Sequence, residues 1–186
     1  MKVVASANGL GEPGSLYHPE MRVAAFDHVH LYAADPAGTL AFYERHFGAE
    51  RVGQLENAVG ELNHFLLLGG QLLVVGGFPP GMAPAEPPPA GDGALHSGFG
   101  VAHLGLNVDD VDLAVRELGA AGVAVLAPVR QGGLVRYAYV QAPDGVVLEL
   151  TSYQVRGALR AALPLLAGYN RFVHGARRAL VKAALR

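Results

Sequence analysis

Hydrophobic and polar positions alternate sharply from Phe26 to Ala33, FDHVHLYA: His28, His30 and Tyr32 share one face of an extended segment, and Val29, Leu31 and Ala33 share the other. Asp35-Pro36 then supplies an N-cap and a first helical residue. Apolar residues recur at helical spacing through Leu40, Tyr43 and Phe47 until Gly48, which predicts a helix over 36–47. Arg51–Glu56, Glu61–Leu68 and Gln71–Phe78 are strand-like runs separated by Gly60 and Gly69-Gly70. The order is β-α-β-β-β.

The same order begins again after a stretch rich in Pro, Gly and Ala. Val101–Val108 alternates with His103, Gly105 and Asn107 on one face, and Asp109-Asp110 cap a helix with Val111, Ala114, Val115 and Leu118 on its apolar side. Val123–Val129, Leu134–Val140 and Val146–Tyr153 give three more strands, the last two joined by Ala-Pro-Asp-Gly, a turn sequence. An offset of 75 carries His28 onto His103, Leu31 onto Leu106, Asp35 onto Asp110 and Gly70 onto Gly145. On that offset His64 falls opposite Tyr139, and Val74 opposite Glu149. The chain therefore divides into an arm (1–25), a first module (26–78), a linker with partial polyproline character (79–100), a second module (101–153) and a tail (154–186). The fold class expected is α+β, with two tandem βαβββ modules forming a curled mixed-sheet cleft, plus a C-terminal helical tail.

Charge sets the tail apart. Gln154–Arg186 carries seven basic residues and no acidic one, leaving seven basic against sixteen acidic residues elsewhere. Pro164 and Gly168 predict two helices with a break between them, packed over an open cleft or against a second subunit; a homodimer is compatible with this. The glycines and proline make the tail a poor candidate for a membrane surface or a nucleic acid, so neither partner is expected. The first 20 residues show no basic, apolar leader and no run reaches a membrane-spanning length, which points to a cytoplasmic protein. With no cysteine, disulfides, thiolate metal sites and thiol nucleophiles are excluded, so a metal would need imidazole or oxygen ligands.

FDHVHLYAADPAGTLAFYERHFGAE, HLGLNVDDVDLAV and YVQAPDGVVLEL together resemble the vicinal oxygen chelate superfamily, which includes glyoxalases, methylmalonyl-CoA epimerases, extradiol dioxygenases and bleomycin and fosfomycin resistance proteins. The resemblance spans about Phe26 to Tyr153 and implies metal ligands His28, His103 and Glu149. Two imidazoles and a carboxylate with open positions suit Fe(II) first, and Mn(II), Zn(II) or Ni(II) as well. Glyoxalases and epimerases carry Glu or Gln where this chain has Val74. Extradiol dioxygenases carry Tyr ten residues before the Glu ligand, as Tyr139 stands here, although RQGGLVR lacks the histidine they place upstream. The resemblance implies a metal-dependent enzyme acting on a small oxygen-bearing substrate, with Fe(II) dioxygenase chemistry first. Isomerase, epimerase or lyase chemistry of the glyoxalase kind is the second reading, and non-catalytic drug binding the third. Tyr139 would donate a proton or hydrogen bond, His30 and His64 would be bases, and Tyr32, Asn107 and Arg136 would contact substrate.

Overall fold

The computed structural model describes residues 26–58, 60–82, 101–154 and 158–185. The arm and nearly all of the linker lie outside the described residues. The first module contains β1 (His28–Tyr32), α1 (Pro36–Phe47), β2 (Glu50–Glu56), β3 (Leu62–Leu68) and β4 (Gln71–Gly76), in a sheet ordered β1-β4-β3-β2. The second contains β5 (Leu104–Asn107), α2 (Val111–Ala120), β6 (Val125–Gly132), β7 (Val135–Gln141) and β8 (Val147–Tyr153), ordered β5-β8-β7-β6. In each sheet the first strand runs parallel to the last and the remaining pairs are antiparallel. The two sheets remain separate four-stranded units, so the expected tandem modules are present.

Local chemistry accounts for the elements. Asp35 accepts from the Gly38 amide at 3.0 Å and Asp110 from the Leu113 amide at 3.0 Å, so both helices begin on an aspartate cap. Gly48 closes α1 in the left-handed conformation. One side of each sheet packs on its helix: Leu40, Tyr43, Leu66, Leu73 and Val75 join Val111, Leu118, Val140, Leu148 and Leu150 in one shared core. Asp144 ties the modules further. Its carboxylate accepts from the Ala34 amide at 3.0 Å and the Thr39 hydroxyl at 3.2 Å, across the chain repeat.

The tail departs from expectation. Instead of two helices, Ala158–Ala184 forms one 27-residue helix, α3, which runs through Pro164 and Gly168. A proline inside a helix costs about 3 kcal/mol, and α3 docks onto the first sheet through its C-terminal half. Val181 packs against the cluster of Leu67, Leu72 and Val74, flanked by Val52 and Phe65. Arg178 and Lys182 grip Glu50, at 2.5 and 2.7 Å, and hold its carboxyl down at about 2, the Arg178 hydrogen bond contributing most. Register identifies the covered face: His28 is paired with Leu72 and His30 with Val74, so α3 lies on the histidine-bearing side of the first sheet. Its outer side leaves Leu165, Tyr169, Phe172 and Leu180 exposed. No helix among the described residues is long and apolar enough to cross a membrane.

Candidate metal centre

Glu149 lies in β8 directly opposite Gly105 of β5 and Tyr139 of β7, so the side chains at these register positions face the side of the second sheet away from α2. His103, two residues before Gly105, shares that face. Its Nε2 stands 3.3 Å from Glu149 Oε2. The Tyr139 hydroxyl donates to the other carboxylate oxygen, Oε1, at 2.9 Å, and its ring meets His103 edge to face at 5.5 Å. Burial, and then the hydrogen bond to Glu149, push the Tyr139 phenol up to about 12. It is thus a donor fixed on the carboxylate throughout the neutral range, leaving Oε2 aimed at the imidazole. Glu149 is half-buried, at 22% side-chain exposure, and reachable from solvent.

This spacing fits a bound divalent ion. An imidazole nitrogen and a carboxylate oxygen 3.3 Å apart are donors of the type that would hold such an ion. Two of the three ligand positions implied by the sequence therefore converge. His28 does not join them within one chain: among the described residues no three His, Asp or Glu side chains come together as a metal-holding group. His28 instead projects from the first sheet, 44% exposed, with Nδ1 2.7 Å from Asp27 Oδ2. A carboxylate only accepts, so Nδ1 is the donor in this contact and Nε2 is the nitrogen turned away from Asp27.

The other expected residues divide by face. His30 and Tyr32 share the His28 side, with rings 5.0 Å apart, and Tyr32 continues onto Phe78 at 6.0 Å. Gly76 is needed beside them, since a Cβ there would run into Asn63 Oδ1 and come within 3.2 Å of His30 Nε2. Burial, and secondarily His28, lower the His30 pKa. Asn107 is on the Glu149 face but its amide is engaged, donating to the Thr151 carbonyl at 3.1 Å.

His64 and Arg136 lie on the helix side of their sheets. His64 pairs with Val75, a fully buried residue of the helix-side core, and so points away from the cleft face. Its Nδ1 is buried without a hydrogen-bond partner, and burial followed by Arg51 lowers its pKa. The cause is a difference of one residue. The Ala142 amide donates to the Val146 carbonyl at 2.8 Å and closes a three-residue turn, Pro143–Gly145, between β7 and β8, where the two residues Gly69-Gly70 join β3 to β4, so Tyr139 corresponds to Phe65 rather than His64. Such a slip exchanges the faces of a strand. Arg136 likewise pairs with buried Ser152 and binds Asp112 of α2 at 2.7 Å, on the helix side.

Val74, at the Glu149-equivalent position, lies beneath Val181 and is only 3% exposed. The ladder position that carries Glu149 in the second module carries an apolar contact with α3 in the first. Two residues that pattern alone did not single out emerge here, Asp27 beside His28 and Asp144 between the modules. The first had a signal, its adjacency to the histidine.

The profile of the glyoxalase/bleomycin resistance protein/dioxygenase superfamily matches residues 25–150. A search of curated proteins returned no match. Among solved structures, the chain is similar to the genomically encoded fosfomycin resistance protein of Listeria monocytogenes, a mutant of which was crystallised with Mn(II) and 1S,2S-dihydroxypropylphosphonic acid. That similarity has 19% identity and a TM-score of 0.53, over 75% of this chain and 99% of that one. It is also similar to an antibiotic-binding protein of a Streptomyces species, at 23% identity and TM-score 0.54, over 72% and 98% of the two chains. A glyoxalase family protein of Enterococcus faecalis matches at 23% and 0.54, over 69% and 97%. At these identities the likeness speaks for the fold, and the profile match for the lineage: the chain belongs to the glyoxalase/bleomycin resistance protein/dioxygenase superfamily.

Proposed function

We propose that this chain is a divalent-metal enzyme acting on a small oxygen-bearing molecule, with His103 and Glu149 as two ligands and His28 of a second copy as the third. The observation that carries this reading is the 3.3 Å approach of His103 Nε2 to Glu149 Oε2, with Tyr139 steering the carboxylate. The shared core and the Asp144 hydrogen bonds fix the two modules against each other, so His28 of the same chain has no short route to the pair. A twofold axis would deliver two exposed His28 side chains to two such pairs at once. The ion, when bound, supplies Lewis acidity toward substrate oxygens and, as Fe(II), redox access to O2.

The chain's own residues do the rest. Tyr139 orients Glu149 and presents a phenol at the rim of the site. His30, on the His28 face, is the base candidate, because His64 is turned into the other layer. With Val74 apolar and covered, no second carboxylate supports the isomerase reading, which keeps Fe(II) oxygenase chemistry first and Mn(II), Zn(II) or Ni(II) as alternatives. Metal analysis of anaerobically purified protein, with oxygen uptake on adding candidate substrates, tests the chemistry. Stoichiometric iron and uptake support it; another metal without uptake shifts the reaction to the glyoxalase kind.

The shared site has its own test. His28→Ala and Glu149→Ala chains, each defective alone, should regain one high-affinity Mn(II) site per mixed dimer when their subunits exchange. Absence of recovery in a mixture shown to exchange subunits would refute a site between copies.

A further inference from the structure

Arg177 of α3 reaches across the first sheet to the residues immediately preceding His28. Its Nη1 donates to Gln71 Oε1 at 2.7 Å, and its Nη2 donates to the carbonyls of Phe26, at 3.3 Å, and Asp27. The same Nη2 lies 4.0 Å from the Asp27 carboxylate, whose other oxygen accepts from His28 Nδ1 at 2.7 Å. The Arg177 side chain is 22% exposed, whereas Asp27 is 80% exposed and meets the side chains of Arg177 and His28. Phe26 and Asp27 also precede β1 and lack sheet partners. An exposed aspartate on an unpaired segment would sample many rotamers, and holding it costs conformational entropy. The guanidinium, with its planar fork of donors, removes that freedom for the two carbonyls and leaves the carboxylate directed at Nδ1.

We infer that Arg177 is a positioning residue for the metal centre: through the main chain and carboxylate of Asp27 it fixes His28 as the Nδ1–H tautomer with Nε2 presented for coordination. This rests on the reading that His28 is a ligand, and it makes the basic C-terminal helix part of the site. Carboxylates that accept from the non-ligating nitrogen of a metal-binding histidine typically contribute 10- to 100-fold in metal affinity, which sets the expected scale. Arg178 and Lys182 hold the same helix through Glu50 at the far edge of the sheet, in β2, and so provide an internal control.

The test uses the full-length protein and Mn(II) alone as the probe, titrated calorimetrically. Arg177→Ala should weaken binding about 10- to 100-fold, Arg177→Lys should recover part of the loss, and Lys182→Ala should leave affinity within about twofold. In metal-free protein the long-range 1H–15N spectrum should show His28 as the Nδ1–H tautomer in the wild type and as a tautomer mixture in Arg177→Ala. That second readout is independent of metal and of any general loosening of the helix.

Unchanged affinity and an unchanged tautomer in Arg177→Ala would overturn the inference. So would an equal loss in Lys182→Ala, which would reduce Arg177 to one more helix anchor. If His28→Ala binds Mn(II) as tightly as the wild type, the metal reading fails instead, while the tautomer measurement still decides whether Arg177 governs His28.

Discussion

Replacing Asp144 by alanine should remove the polar link between the modules and strain the backbone in one step. Asp144 sits at φ 57° and ψ 28°, the left-handed region, the one described non-glycine residue there, and its carboxylate accepts from Ala34 N and Thr39 Oγ1. Hydrogen bonds to a charged acceptor contribute about 1.5–3 kcal/mol each when sheltered. Asp144 is exposed, so about 0.5–1.5 kcal/mol each is the reasonable share here. Thr39 is 3% exposed, and its hydroxyl would lose its acceptor in a place water reaches poorly. An alanine in the left-handed region adds about 1 kcal/mol. The total is about 2–4 kcal/mol for Asp144→Ala. Asp144→Gly loses the same bonds without the strain, so it should be about 1 kcal/mol less damaging, and Asp144→Asn, which keeps an acceptor and tolerates the conformation, less damaging still. Urea unfolding followed by circular dichroism gives the order directly. A stability for Asp144→Ala within about 0.5 kcal/mol of the wild type, or a glycine variant less stable than the alanine one, would refute the argument.

Acid should loosen α3. Because Glu50 has a folded-state value near 2, below its ordinary 4.5, its contribution is complete above about 4.5 and vanishes as pH falls toward 2. Hydrogen exchange of α3 should accelerate across that window, and an exchange rate independent of pH after correction for intrinsic chemistry would count against the Glu50 clamp. Gly70→Ala should detach the same helix at its other anchor, since the backbone there has φ 80° and a Cβ would run into the His174 ring; protease cleavage within 158–185 should rise, and an unaltered digest would contradict the packing. Val74→Glu places a carboxylate under Val181, where an unpartnered charge costs several kcal/mol, so the helix should release or the variant should lose stability. Tyr139→Phe should weaken Mn(II) binding about tenfold by freeing Glu149, with calorimetric titration as the measurement and an unchanged affinity as the disproof.

Periodicity made most of the fold legible. Alternation marked the cleft faces of β1 and β5, and the offset of 75 holds wherever β1 pairs with β4 and β5 with β8, because His28↔Leu72 and Leu104↔Leu148 keep equal spacing. The family resemblance named His103 and Glu149, and the β5–β8 ladder carries both to one face of the second sheet. The offset fails in β3 and β7, where turn length decides the register, so His64 and Tyr139 fall on opposite faces of their sheets. The partner of Arg136 was equally hidden: an arginine in an alternating strand carries no mark of whether its face meets water or a helix bearing an aspartate. The break expected in the tail rested on local propensity alone, which cannot weigh a tertiary dock. Arg177 left no local trace, since its partners Phe26, Asp27 and Gln71 lie more than 100 residues away.

The three-residue connection Pro143–Gly145, against two residues at Gly69-Gly70, bears on how duplicated folds acquire unequal chemistry. One inserted residue in a surface turn rotates a whole strand's complement of side chains from one layer to the other while leaving every ladder intact. A single small insertion event in one copy can therefore expose a previously interior set of side chains to selection at the cleft, with the other copy preserving the scaffold. Duplicates of this kind can diverge by counting as well as by substitution: Phe65 and Tyr139 hold matching ladder positions, one against an apolar helix contact and the other against a carboxylate.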